Sequence, residues 1–263
     1  MVKLNYNSNG EGKPLLILHG LFGSSRNWNA VAKELAADYR VITVDLRNHG
    51  DSGHDPDMTY PAMVVDLVQL LDELALPDAV MLGHSMGGKA AMGFALSHPD
   101  RTAGLIVVDI APVSYPPGHM PLIRAMQSLP LSEIASRGDA ETHLQAAGVD
   151  EPLIRQFLLQ NLARDGGGYR WRLNLEALRR HLADLASFPD DWPHSSYAGP
   201  ACFLAGERSD YILPRHHGEI IRLFPEAVIE TVESAGHWVH ADRPEAVIAA
   251  VRTFMEKSVN GES

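Results

Sequence analysis

The sequence predicts an α/β fold, a mostly parallel sheet flanked by helices and interrupted by a helical insert. Three observations predict it. Over most of the chain, short apolar runs alternate with amphipathic stretches of helical period, the pattern of βαβ units whose strands are covered on both faces. One run, Ala79-Val80-Met81-Leu82, leads through Gly83-His84-Ser85-Met86-Gly87 into a small-residue helical stretch, so Gly-x-Ser-x-Gly stands between a strand and a helix. Between Pro112 and about His194 the alternation stops and the pattern is helical throughout.

In chain order, residues 3–7 suit an antiparallel edge strand, and the apolar run 15–18 reads as the first buried parallel strand. An amphipathic helix near 28–37 precedes a β-branched strand at 41–44, and a helix at 61–74 precedes the strand 80–82. The helix 86–98 follows the serine motif, and 105–108 reads as the next buried strand. The insert then supplies helical patterns at 120–129, 132–136, 140–147, 151–163 and 175–187, bounded by the Pro-rich stretches 112–117 and 189–193. Buried strands at 202–204 and 228–232 alternate with helices at 214–224 and 244–257, and 259–263 reads as a frayed end. This divides the chain into a discontinuous core, 1–112 and 195–263, and a helical cap, 113–194. Open α/β sheets bind ligands at the carboxyl ends of their strands, and a cap there would wall the site from water.

The 263 residues are 45% hydrophobic and 21% charged, a composition with ample material for a core. A formal net charge of −11 argues against non-specific binding to nucleic acid or anionic membranes. The single cysteine, Cys202, lies in an apolar run, so no intrachain disulfide forms and a buried structural thiol is expected. With no signal-like apolar core at the start and no run long enough to span a bilayer, the expected location is cytoplasmic.

The chemistry centres on Ser85. The turn from strand to helix would thrust its hydroxyl outward, with Gly83 and Gly87 needed because a Cβ at either would collide with neighbouring backbone. The helix N-terminus beneath it, led by the Met86 N–H, could hold a developing oxyanion. A phosphate-binding loop overlaps the same residues from Gly83 to Lys89, but Ala90 stands where the magnesium-binding hydroxyl belongs. A serine hydroxyl needs a base, and the base an orienting acid. Among 13 histidines, His237 follows the last strand in Ala235-Gly236-His237-Trp238 and suits that base. His19-Gly20-Leu21-Phe22-Gly23 follows the first buried strand, and the Leu21 N–H could face Met86 as a second oxyanion donor. His84 is expected to pack beside the serine, and His216 and His217 to be solvated. No histidine is accompanied by Cys or carboxylate at a metal-site spacing, so neither metal nor cofactor is proposed.

These motifs, in this order and spacing, resemble the α/β-hydrolase superfamily over nearly the whole chain. The strings Asp45-Leu46-Arg47-Asn48-His49-Gly50-Asp51-Ser52, Gly83 to Ala90, Val108-Asp109-Ile110-Ala111-Pro112 and Gly236-His237-Trp238-Val239-His240-Ala241 resemble the YbfF-type bacterial esterases and their mitochondrial abhydrolase-domain relatives. The resemblance implies a serine esterase with the triad Ser85, His237 and an acid. In many such enzymes the acid stands three residues after a glycine following the penultimate strand. Here Gly206-Glu207-Arg208-Ser209-Asp210 puts Ser209 in that slot and Asp210 one residue late. Asp109, at the end of the strand after the nucleophile helix, is the favoured acid, with Asp210 the alternative. Asp45 is expected to tie down the Arg47-Asn48-His49 loop. The implied reaction is hydrolysis of small to medium acyl esters or thioesters through an acyl-enzyme. An acyl-CoA thioesterase, a C–C bond hydrolase or a perhydrolase would use the same residues, and a non-catalytic receptor on this fold is the remote alternative. The expected partner is a small-molecule ester or thioester.

Overall fold

The computed structural model describes residues 1–189, 192 and 196–259. In chain order it contains β1 (Asn5–Asn9), β2 (Pro14–Leu18), α1 (Asn29–Leu35), β3 (Arg40–Asp45), α2 (Tyr60–Glu73), β4 (Ala79–His84), α3 (Met86–Ser97) and β5 (Thr102–Val108). The insert follows, with α4 (Met120–Gln127), α5 (Arg137–Ala146), α6 (Pro152–Leu159), β6 (Leu162–Asp165), β7 (Gly168–Trp171), α7 (Leu175–Arg180) and α8 (Leu182–Ala186). The chain then returns through β8 (Ala201–Gly206), α9 (His217–Leu223), β9 (Ala227–Val232), α10 (Val239–Asp242) and α11 (Pro244–Phe254).

The sheet has seven strands in the order β1-β3-β2-β4-β5-β8-β9. All pairs are parallel except β1 with β3, where Asn5 faces Asp45. Alternation along each strand divides the apolar side chains between two cores. Leu15, Ile17, Val80 and Leu82 pack with Trp28 and with Val31 and Leu35 of α1 and Val247 and Val251 of α11. Leu16, Leu18, Met81 and Val107 pack on the opposite face with Leu67 of α2 and Ala91 of α3. Both faces are covered, which is why the central strands read as unbroken apolar runs. Cys202 is a buried free thiol in the α11-side core, and burial pushes its pKa up to about 12.

The insert departs from the all-helical expectation. The helix expected over 151–163 stops at Leu159, and Leu162–Asp165 pairs with Gly168–Trp171 as a two-stranded antiparallel hairpin. Gly166, at φ 55°, and Gly167 close it, since only glycine adopts the left-handed turn geometry at little cost. No helix forms over 132–136. Ser136 instead caps α5, its Oγ accepting from the Asp139 N–H, which sets the start of that helix. The stretch 175–187 is split at His181 into α7 and α8. The strand 228–232 is parallel as expected but lies at the sheet edge, with Val228 exposed. The expected cap boundary at 194/195 and the C-terminal residues 260–263 lie outside the described residues. Among the described residues, no helix is long and apolar enough to cross a membrane.

Candidate active site

Ser85 joins β4 to α3 with φ 52° and ψ −117°. This is a region that non-glycine residues occupy only when their surroundings hold them there. Its N–H donates to Val108 O at 3.0 Å and its carbonyl accepts from the Lys89 N–H at 3.1 Å, so both ends of the turn are fixed. The turn closes only because two glycines flank it. A Cβ on Gly83 would lie 2.2 Å from Gly87 O, and one on Gly87 would lie 2.5 Å from Leu18 O.

At the tip of the adjacent strand, Asp109 also has positive φ, 52°, and is fully buried. Its carboxylate accepts from the Gly206 N–H at 2.9 Å, from Ser209 Oγ, and from His237 Nδ1–H at 2.7 Å. Because Nδ1 carries that proton, the lone pair of His237 lies on Nε2, which is 3.1 Å from Ser85 Oγ. The structure therefore brings Ser85, His237 and Asp109 into one hydrogen-bonded chain. Asp210 is exposed, while Ser209, one residue earlier, reaches Asp109. Tyr211 stacks on the His237 ring, with centroids 4.2 Å apart. His84, buried beside the serine as expected, donates from Nε2 to His237 O at 2.9 Å and so ties the histidine loop to the elbow.

Leu21 and Met86 border the same space. Among the described residues, neither backbone N–H has an acceptor, so both are available to a ligand oxygen. The Leu21 loop is held by two buried imidazoles. His19 donates from Nδ1 to Gly20 O and accepts the Leu46 N–H at Nε2. His49 donates from Nδ1 to Arg47 O and accepts the Phe22 N–H at Nε2, with Phe22 at φ 61°. An imidazolium could not accept those N–H groups. Burial and the neighbouring imidazole push His49 down to about 3, and burial lowers His19. His84 is held well below the ordinary range by burial and by His237 and His240.

Two side-chain expectations need correction. Asp45 does not hold the Arg47–His49 stretch directly. It accepts from the Ser25 and Asp51 N–H groups and from Asn5 Nδ2, whereas Asp66 holds Arg47 with a two-pronged contact at 2.6 and 2.9 Å. His216 is not solvated. It is buried, with Nδ1 3.1 Å from Tyr211 O, and desolvation lowers its pKa.

Two cavities meet at Ser85. A wide one of about 240 Å³ is lined by Leu122, Ile154, Phe157, His237 and Trp238, and a narrow one of about 50 Å³ by Tyr60, Met86, Lys89, Leu182 and Leu185. Leu21 and His119 border both. Of the apolar insert positions, Leu122 and Phe157 face the wide cavity, while Ile123, Met126, Leu158 and Leu178 are fully buried in the core. A void of about 460 Å³ near Pro112, Phe188 and Arg222 touches neither Ser85 nor His237.

Sequence reasoning missed several of these residues. Ser209 carried a signal, since it occupies the slot of an expected acid. Tyr211 and His119 carried none, because their positions depend on loop conformations. Lys89 entered only through the overlapping phosphate-loop pattern. Its Nζ is buried and donates to Ala186 O at 2.8 Å and Ser187 O at 2.7 Å.

Residues 15–250 match the family described as the Alpha/beta hydrolase family. The chain is 48% identical over 249 residues to the sn-1-specific diacylglycerol lipase ABHD11 of Mus musculus, covering 92% of this chain and 80% of the relative. It is 38% identical over 251 residues to the esterase YbfF of Escherichia coli strain K12, with 92% of each chain covered. Among solved structures, one described as a marine microorganism esterase superposes with a TM-score of 0.93 at 38% identity, covering 97% of this chain and all of that one.

Proposed function

This chain belongs to the alpha/beta hydrolase family and is a hydrolase, and from that premise we propose a serine carboxylesterase in which Ser85 is the nucleophile, His237 the general base and Asp109 the orienting acid. The observation that carries the proposal is the continuous hydrogen-bonded chain from Ser85 Oγ through both nitrogens of His237 to the buried Asp109. Relatives named as esterases and as a diacylglycerol lipase place their own substrates among carboxylic esters, and the same class fits this site.

His237 Nε2 takes the proton as Ser85 Oγ attacks the ester carbonyl, and the new oxyanion is met by the Leu21 and Met86 N–H groups. Asp109 stabilises the imidazolium that forms. His237 then returns the proton to the leaving alcohol, and water repeats the sequence to release the acid. A thioester would pass through the same steps with a thiol leaving. The insert between β5 and β8 serves as the cap. Its α8 is fastened to α3 through Lys89, and its Asn161 donates to Phe22 O at 2.7 Å in the oxyanion loop.

Ser85→Ala is expected to lower kcat on an activated ester by about 10⁶ and to abolish labelling by a fluorophosphonate, with circular dichroism unchanged. A folded variant that keeps a tenth of the activity would overturn the assignment.

A further inference from the structure

The two cavities at Ser85 differ in size and in which catalytic group borders them. Only the wide one is lined by His237, and only the narrow one by Met86. If Ser85 and His237 act as proposed above, on which this inference rests, the leaving oxygen must reach His237 Nε2 to receive its proton. The alcohol therefore departs on the side of the wide cavity. With the carbonyl oxygen between Leu21 and Met86, the remaining substituent of the carbonyl carbon, the acyl chain, points along Met86 into the narrow cavity.

We infer that the ester binds with its acyl chain in the narrow cavity under α8 and its alcohol in the wide cavity under α4 and α6, making the enzyme selective for short acyl groups on large apolar alcohols. Taking roughly 30 Å³, the share of one water molecule in the liquid, as the size of a small group, about 50 Å³ admits about two such groups and about 240 Å³ about eight. The narrow cavity is also stiff. Tyr60 Oη donates to Leu185 O at 2.7 Å, and Lys89 Nζ donates to the next two carbonyls, Ala186 O and Ser187 O. Widening it means breaking hydrogen bonds that are buried or half-buried. The wide cavity is walled mainly by apolar side chains, Leu122, Ile154, Phe157 and Trp238, suited to an alkyl or aryl alcohol.

The test uses two isomeric esters of equal size and similar intrinsic reactivity, octyl acetate and ethyl octanoate, with p-nitrophenyl acetate as the control. Octyl acetate is expected to exceed ethyl octanoate in kcat/KM by roughly tenfold or more, since even one misplaced methylene is worth that much in a closed pocket. Leu185→Ala or Leu182→Ala, by removing part of the narrow wall, should raise the ethyl octanoate to octyl acetate ratio. Ile154→Trp, by filling the wide cavity, should lower the octyl acetate to ethyl acetate ratio. Turnover of p-nitrophenyl acetate with equal rates on the two isomers, or with ethyl octanoate preferred, overturns the orientation alone. No turnover of p-nitrophenyl acetate, together with no fluorophosphonate labelling of Ser85, overturns the esterase reading beneath it.

Discussion

Asp109 is a carboxylate without exposed surface whose three hydrogen-bond donors come from Gly206, Ser209 and His237. Such a group is tolerable in the interior because each donor replaces lost hydration. Asn at this position keeps the volume but offers the histidine the wrong partner, so Asp109→Asn is expected to lower kcat by about 10⁴. Asp210→Asn, on an exposed side chain, should stay near wild type. Measuring kcat for both on one activated ester, with circular dichroism, checks this, and an inactive Asp210→Asn beside an active Asp109→Asn would contradict it. The proximity of Ser85 and His237 was legible because a glycine-flanked motif and a position after the last strand are both local signals. The choice between Asp109 and Asp210 was legible only as a question of register. Ser209 completes the carboxylate's shell because the end of β8 lies beside the end of β5, a pairing between distant segments that local pattern does not encode.

At the scale of elements, α8 is a five-residue helix, too short to persist on its own in water. It holds its place through contacts with the core, including a buried hydrogen bond from Tyr60 to Leu185 O and half-buried ones from Lys89 to Ala186 O and Ser187 O. Burial pushes the Lys89 ammonium down to about 7, yet neutral or charged its nitrogen still donates. Lys89→Met leaves two carbonyls without that donor, at a cost of about 1–3 kcal/mol. The expected outcome is a lower urea midpoint and faster amide exchange in 182–186, with α3 still protected. Unchanged exchange in 182–186 would show that Lys89 does not fasten the helix. The strands of the central sheet were legible because residues buried on both faces leave continuous apolar runs. The β6–β7 hairpin was not, because Leu162-Ala163-Arg164-Asp165 continues a helical period until the glycines reverse the chain.

At the scale of the molecule, His19, His49, His84 and His240 are all buried with lowered pKa values, His49 to about 3 and His240 to about 4, chiefly through desolvation. The unfolded chain takes up protons near the ordinary 6.5, where the folded chain refuses them. Stability intact above pH 6.5 is therefore lost progressively as pH falls toward 3–4. The urea midpoint is expected to drop steadily on going from pH 7 to pH 5. His49→Gln, whose amide can serve the same donor and acceptor positions, should flatten that slope by at most about 1.4 kcal/mol per pH unit. A midpoint independent of pH in wild type would refute the linkage.

The strands on either side of the insert, β5 and β8, are direct neighbours in the sheet. In evolutionary terms the insert is thus an exchangeable module hung from one seam. A lineage could lengthen, trim or replace it without altering strand order. Ser85, Asp109 and His237 all belong to the scaffold side of that seam, while Leu122, Ile154, Phe157, Leu182 and Leu185 belong to the module. Substrate choice can diverge there under selection while the reaction itself is inherited intact.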